Sequence, residues 1–345
     1  MTAINKAVWI PSKGATPVVG EAEIPRPGGG EVVIENKAFP LHPGDWKVLK
    51  GIIPIELRYP TVIGNYAAGI VYSVGSGVTR FKPGDRVLSV TCFSLRNDHR
   101  YGAHQRFVLS GEAMTSHTPD TLDFPGATSA AQIYASMSAM VLHVGLDRPS
   151  KTPKPENKNE KVLIWGGGSS FGFFAVQIAV QAGYTVHTTS SPSSKSILLD
   201  IGAATVHPYA SQTLLDDLLT LGPFKAIFAA SDDASSQLLM AKLLSAQGGG
   251  SFISTMGPRA QSAGVEWPER VSVEFVQYMD DYFEEMNKEF RDWVFDEYIE
   301  RGLREGTLKL GEVEVVEGGL GGVGAALGRL EGGGVRGRKL VVSVD

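Results

Sequence analysis

The chain has 345 residues, of which 43% are hydrophobic and 20% charged, enough material for two ordinary domains with packed cores. A formal net charge of −5 argues against nucleic acid as the main partner. The single cysteine, Cys92, excludes an internal disulfide and a multi-cysteine zinc site and fits a reducing compartment.

The opening MTAINKAVWIPSKG has no basic stretch followed by an apolar one, so no signal peptide is expected. No run reaches the roughly 18 apolar residues that cross a membrane, and the expected location is the cytoplasm. Residues 1 to about 125 read as strands and turns, with EVVIENKAF, GIVYSVG and DRVLSV separated by glycine and proline signals. Near Asp123 the texture changes, and 126–146 carry Ala, Met, Ile and Leu at helical spacing. A polar stretch with Pro149, Pro153 and Pro155 reads as an exposed loop. Strands then alternate with helices from Lys161 to Thr255, which predicts a doubly wound parallel sheet. Residues 279–305 form a long charged amphipathic helix pattern. The tail places strands at Glu312–Val316 and Lys339–Val344 around a glycine-rich segment.

Two glycine loops compete for the role of dinucleotide fingerprint. After the strand Lys161–Trp165 the chain reads Gly166-Gly167-Gly168-Ser169-Ser170-Phe171-Gly172 and enters a helix. Glycines there let the backbone approach a pyrophosphate, and the helix N-terminus points N–H groups at it. The strict GxGxxG lies elsewhere, at Gly319–Gly324. Only about 20 residues follow it, too few for a nucleotide-binding half with sheet neighbours, so it reads as a turn opening a short terminal helix. The candidate cofactor loop is therefore Gly168, Ser169, Ser170, Phe171 and Gly172.

The second strand of that unit ends Thr188-Thr189-Ser190-Ser191-Pro192-Ser193-Ser194-Lys195, with no acid to bind a ribose 2′-hydroxyl. A carboxylate there would repel a 2′-phosphate, whereas the hydroxyls of Ser190, Ser191 and Ser193 and the Lys195 cation suit one. NADPH is the expected cofactor. The same hydroxyls also suit the cap of the next helix.

Three stretches carry a family resemblance. They are Tyr59–Val71 (YPTVIGNYAAGIV), Val74–Val78, and Phe81–Val87 (FKPGDRV). They resemble the signature of the medium-chain dehydrogenase/reductase superfamily. Val162–Gly172 and the tail from Glu300 resemble its fungal zinc-free branch, which includes enoyl reductases acting in trans with polyketide synthases. The resemblance implies an α/β protein: a GroES-like β-rich catalytic domain (1–126, completed by 281–345) and a Rossmann doubly wound parallel-sheet domain (127–280) that binds NADPH.

Zinc-dependent members place ligands where this chain has Leu41 and Asn65, and it has no cysteine near Gln132–Ser138. No metal is expected. Cys92, His99 and His104 lie close in sequence without a firm fourth ligand, and the two histidines read as surface or loop residues.

Without zinc, the implied reaction is hydride addition to the C=C bond of an α,β-unsaturated carbonyl or thioester. It needs a group to stabilise the enolate oxygen and a proton donor. Lys47, in His42-Pro43-Gly44-Asp45-Trp46-Lys47, matches a family lysine beside the active site. Ser138 matches a Thr/Ser position facing the nicotinamide. Tyr66 stands at a position that is acidic in many relatives. Tyr209 matches a family tyrosine near the cofactor, and Thr255-Met256-Gly257, taken as the end of the last Rossmann strand, is expected near the nicotinamide carboxamide. Each has a plain structural alternative: Lys47 as a ribose or structural contact, Ser138 bonded to its own helix, Tyr66 packed in a core. The expected partners are a small enone or an acyl-carrier-bound substrate and a polyketide synthase. Neither nucleic acid nor a membrane is expected, and the chain is expected to be a monomer or homodimer. The alternatives are a quinone or alkenal reductase of the same superfamily, or an NADPH-binding member without turnover.

Overall fold

In the computed structural model, the structure describes residues 4–53, 55–262, 264, 266–275, 278–335 and 337–344. One unit is built from Met1–Ala131 with Tyr282–Asp345, and a second from Gln132–Asp281.

In the first unit, β1 (Asn5–Trp9) and β2 (Val18–Ala22) form an antiparallel pair. The long β3 (Glu31–Pro40) is buried or half-buried throughout, as expected for an apolar run in the middle of a sheet. Helix α1 (Pro43–Leu49) follows. Pro43 brings a helical φ to its first turn, and the Asp45 carboxylate accepts the His42 backbone N–H at 2.7 Å. Reading this half as strands and turns overlooks α1, because seven residues are too few to display a 3.6-residue period. Four further strands complete the stretch: β4 (Tyr66–Val74), β5 (Arg86–Val90), β6 (Phe107–Gly111) and β7 (Thr115–His117).

The helical pattern over 126–146 is real but broken. It divides into Phe124–Thr128, a 3₁₀ turn Ser129–Gln132, Ile133–Ser138 and a π-helical turn Ala139–His143.

The second unit alternates as its sequence predicts. The elements are β8 (Lys161–Trp165), α2 (Ser170–Gln181), β9 (Thr185–Ser190), β10 (Thr205–Pro208), α3 (Leu214–Leu221), β11 (Ala226–Ala229), α4 (Ala234–Ala246) and β12 (Gly250–Ser254). A sixth strand, β13 (Val271–Phe275), was not expected. Its residues are largely exposed because it is the sheet edge, so it lacks the apolar run of its neighbours. All six strands are parallel, in the order β10-β9-β8-β11-β12-β13. Leu163, Trp165, Leu218, Ile227, Met240 and Phe252 fill the core between sheet and helices, each contributing roughly 1.5–3 kcal/mol by leaving water.

The chain then returns to the first unit. The charged helix predicted over 279–305 starts late: two 3₁₀ turns (Asp280–Phe283 and Glu285–Asn287) precede continuous helical structure from Lys288 to Glu305, with a π-helical middle at Trp293–Ile299. β14 (Val313–Val315), α5 (Val323–Glu331) and β15 (Lys339–Ser343) finish the fold. The seven-stranded sheet runs β14-β15-β3-β4-β5-β7, with β6 on β3. Among the described residues no helix is long and apolar enough to cross a membrane.

Candidate functional site

The second unit carries a phosphate cradle. β8 ends at Trp165, and Gly166 turns the chain at φ +86°, where its N–H donates to Thr189 Oγ1 at 3.1 Å. Ser169 caps α2: its hydroxyl accepts the Gly172 N–H at 3.0 Å and donates to the Gly166 carbonyl at 2.8 Å. Gly172 cannot be replaced without displacing backbone, since an added Cβ would lie 2.2 Å from the Gly166 carbonyl oxygen. At Gly167 a Cβ would lie 2.2 Å from Thr188 Oγ1, and at Gly168 2.8 Å from Ser194 Oγ. The loop therefore lies flat on the end of β9, which brings Gly168 to the Ser190–Lys195 segment. A dinucleotide pyrophosphate fits this cradle of close backbone and helix N-terminus.

In the strict GxGxxG such a collision arises at Gly322, where an added Cβ would lie 2.1 Å from the Glu317 carbonyl oxygen, but that residue is not one of the three fingerprint glycines. Added Cβ atoms at Gly321 and Gly324 would meet nothing within 4 Å, although β14 and β15 do pair in parallel around α5. The motif opens α5 through the 3₁₀ turn Gly319–Gly322, as expected for a turn.

Within the Ser190–Lys195 segment, Ser190 is buried and donates to the Ser191 carbonyl at 2.9 Å. Ser191 and Ser193 are exposed, their hydroxyls 2.9 Å apart, and exposed Lys195 opens the next short helix. Trp165 and Tyr209, with ring centroids 6.0 Å apart, border a cleft of about 480 Å³. Leu214 and Leu239 add apolar wall, and Ser231, Asp232, Asp233, Ser235 and Ser236 a polar one. The sheet order reverses between β8 and β11, the switch point where ligands of such sheets bind beyond the strand ends.

Sequence reading missed a polar network in the wall of this cleft, built from half-buried Asp232 and fully buried Gln237 and Ser254. Asp232 accepts from Gln237 Nε2 at 2.6 Å and from Ser254 Oγ at 2.8 Å, and burial pushes its carboxyl above the usual range. Gln237 also donates to the Gly257 carbonyl at 2.7 Å, and Ser254 Oγ accepts the Met256 N–H at 3.0 Å. Together they hold the turn Thr255-Met256-Gly257. That turn follows β12, the penultimate strand and not the last, because the exposed edge strand β13 lies beyond it. The available signal was Ser231-Asp232-Asp233 standing between a strand and a helix.

Ser138 is fully buried, and its hydroxyl donates to the Asp281 carboxylate, which also bonds His143 Nε2 at 2.8 Å. The hydroxyl thus bonds a distant carboxylate rather than its own helix.

Lys47 and Tyr66 belong to the first unit. Lys47 is half-exposed on α1, its Nζ 5.8 Å from the Trp46 ring centroid. Tyr66 starts β4, is nearly buried, and lies 4.5 Å from the His42 ring. Behind them sits a group of buried ionisable side chains. Asp45 and Lys339 are each 7% exposed, and His104 is 1% exposed, with its Nε2 3.9 Å from Asp45 Oδ2. His104 is therefore a core residue and not the surface or loop residue expected. It stacks on Phe39, and Gly64 passes so close that a Cβ there would lie 2.5 Å from its ring. His99, by contrast, is exposed. Burial raises the Cys92 thiol to about 12, so it stays protonated at neutral pH. Asn65 uses its side-chain oxygen to accept from Ser94 N–H at 2.9 Å and Ser94 Oγ at 3.1 Å. Among the described residues no group of three or more His, Cys, Asp or Glu is arranged to hold a metal ion.

The alcohol dehydrogenase GroES-like domain family matches residues 28–145. Trans-enoyl reductase tazE of Aspergillus terreus is 34% identical over 225 residues, covering 64% of this chain and 73% of that protein. The chain belongs to the medium-chain dehydrogenase/reductase superfamily, in the branch of the fungal trans-enoyl reductases. Dehydrogenase azaJ of Aspergillus niger is 35% identical over 219 residues, covering 62% of this chain and 63% of that protein. The chain spans only 60–63% of the length of the first curated relatives it matches. CurK enoyl reductase shares the superfamily fold at a TM-score of 0.77, with 18% identity over 99% of each chain.

Proposed function

We propose that this chain is an NADPH-dependent reductase of the C=C bond of an α,β-unsaturated carbonyl or thioester, acting in the cytoplasm and in trans with a polyketide synthase. Residues 127–280 hold the cofactor, and 1–126 completed by 281–345 hold the substrate. The observation that carries the reading is the cradle at Gly166–Gly172 lying on a β9 end that has hydroxyls and Lys195 but no acid. Gly168, Ser170 and Phe171 would receive the pyrophosphate on backbone, with Ser169 shaping the loop and Gly172 allowing the close approach of helix and turn. Ser191, Ser193 and Lys195 would receive the 2′-phosphate. Tyr209 would flank the adenosine half, and Thr255, Met256 and Gly257 the carboxamide. When bound, the nicotinamide supplies a hydride.

What remains for the chain is positive charge near the carbonyl oxygen and a proton for the α-carbon. Lys47, half-exposed and cationic, suits the first task. Tyr66 is the proposed proton donor. Ser138, with its hydroxyl given to Asp281, supports the cofactor half from behind rather than donating to the substrate.

Calorimetry with NADPH and NADH tests the cofactor. NADPH is expected to bind at least about tenfold more tightly, a difference of about 1.4 kcal/mol. Equal affinities would remove the 2′-phosphate assignment. Lys47→Ala is expected to lower kcat on 2-cyclohexenone about 10²–10³-fold with NADPH affinity unchanged, as for loss of one preorganised donor. A loss of NADPH affinity with kcat retained would instead make Lys47 a cofactor ligand.

A further inference from the structure

Two short segments of the first unit carry the side chains assigned to chemistry. Helix α1 carries Lys47, with His42 at its cap, and Gly64–Tyr66 leads into β4. A seven-residue helix is too short to be stable alone, and Trp46, Val48 and Leu49 pack α1 against the core. A polar joint lies between the two segments. On the α1 side, the Asp45 carboxylate takes the His42 N–H at 2.7 Å and so holds the first turn. On the β4 side, His104 is pressed against Gly64, and its backbone N–H donates to the Ile63 carbonyl at 2.9 Å. The two sides meet where His104 Nε2 approaches Asp45 Oδ2 at 3.9 Å. Lys339 of β15 brings its ammonium to the same buried region. It has no hydrogen-bond partner among the described residues, and its charge acts on both Asp45 and His42.

A buried carboxyl group and a buried amine are costly to keep in a core, and an apolar set of the same volume would serve packing as well or better. Their place, between the two segments that carry Lys47 and Tyr66, gives them a use that packing does not.

We propose that Asp45 is a positioning residue for the reaction: with His104 as its neighbour and Lys339 buried in the same region, it fixes the turn that sets His42 against Tyr66 and aims Lys47. This rests on the reading of Lys47 and Tyr66 given above. The Asp45 carboxylate touches neither substrate nor cofactor; it acts through the His42 backbone.

The test uses the full chain and two readouts, one independent of turnover. The His42 ring sits 4.5 Å from the Tyr66 ring, so its proton resonances carry a ring-current shift, assigned with His42→Gln. Asp45→Ala removes the acceptor. Asp45→Ala with Lys339→Met also removes the cation left behind, which keeps a folding failure from masking the result. Asp45→Asn keeps an acceptor oxygen. The double variant is expected to lose the His42 shift and to lower kcat with NADPH and 2-cyclohexenone about 10- to 100-fold, as for a misplaced reacting group, with NADPH affinity within about twofold. Asp45→Asn is expected to restore both. A double variant that keeps the His42 shift and wild-type kcat would overturn the proposal. So would a fall in NADPH affinity that accounts for the whole loss of rate. Wild-type protein that binds NADPH but reduces no enone would count against the proposed reaction, while the His42 shift would still decide the role of Asp45.

Discussion

Burial works on His104 and Asp45 in opposite senses, though they lie within 4 Å of each other. It pushes His104 down to about 3, so the folded protein keeps that ring neutral where the unfolded chain protonates it near 6.5. Stability from this group is therefore lost as pH falls from 6.5 towards 3. Burial pushes Asp45 up to about 7 from an ordinary 3.8, so between those values the folded state binds the extra proton and stability rises as pH falls. The two slopes overlap between about pH 6.5 and 4 and offset each other. Lys339, lowered to about 7 from 10.5, adds stability only as pH rises above 7. Asp45→Asn is expected to uncover the histidine penalty, so its Tm should fall more steeply than wild type between pH 7 and 5. His104→Phe should do the reverse. Parallel Tm–pH curves for all three proteins would show that the two groups do not titrate as described.

Among the elements, the start of α2 bears the most on the cofactor reading. Ser169 satisfies the Gly172 N–H and ties it to the Gly166 carbonyl, so cap and cradle are one structure. Ser169→Ala is expected to cost about 1 kcal/mol in urea unfolding and to weaken NADPH binding with it. A stability loss with unchanged affinity would separate cap from cradle. This loop was legible in the sequence because strand, glycines and helix occur in order. Its rival at Gly319–Gly324 matched the regular expression better, yet its glycines at 321 and 324 face open space. A collision alone does not make a fingerprint, since a Cβ at Gly322 would also meet backbone; the strand, loop and helix around the glycines carry the distinction. Elements whose pattern was weak were lost: α1 was too short, and β13 too exposed. The candidate site in the first unit was only partly legible. Lys47 and Tyr66 stood in recognisable motifs, but nothing near residues 42–45 or 104 announced that Lys339, more than 200 positions further along the chain, shares their core. Asp232 escaped because its partners Gln237 and Ser254 come from a helix and a strand that converge only in the fold.

For the whole molecule, the decisive feature is connectivity. The second unit is one uninterrupted stretch, whereas the first is opened at Ala131 and resumed at Tyr282. β15 does not lie at the rim of its sheet. It sits between β14 and β3, with Val341 opposite Pro40, Val342 opposite Phe39 and Ser343 opposite Ala38. A chain ending at Gly332 would therefore leave the Ala38–Pro40 end of β3 with an open edge and the core around Phe39 and Leu41 uncovered. It is expected to aggregate or to lose the cooperative transition of the first unit while the second still melts. A single transition like that of the full chain would argue that β15 is dispensable.

The same arrangement sets a timetable for synthesis. A ribosome releases residues in order, and the parallel sheet can close once β13 has emerged. The first 131 residues must wait, their β3 edge and apolar face exposed, until more than 200 further residues have been added and β15 arrives. For that interval the nascent chain carries a finished unit beside an unfinished one. Chaperone demand in the cell should then follow the N-terminal segment, although it is the part made first.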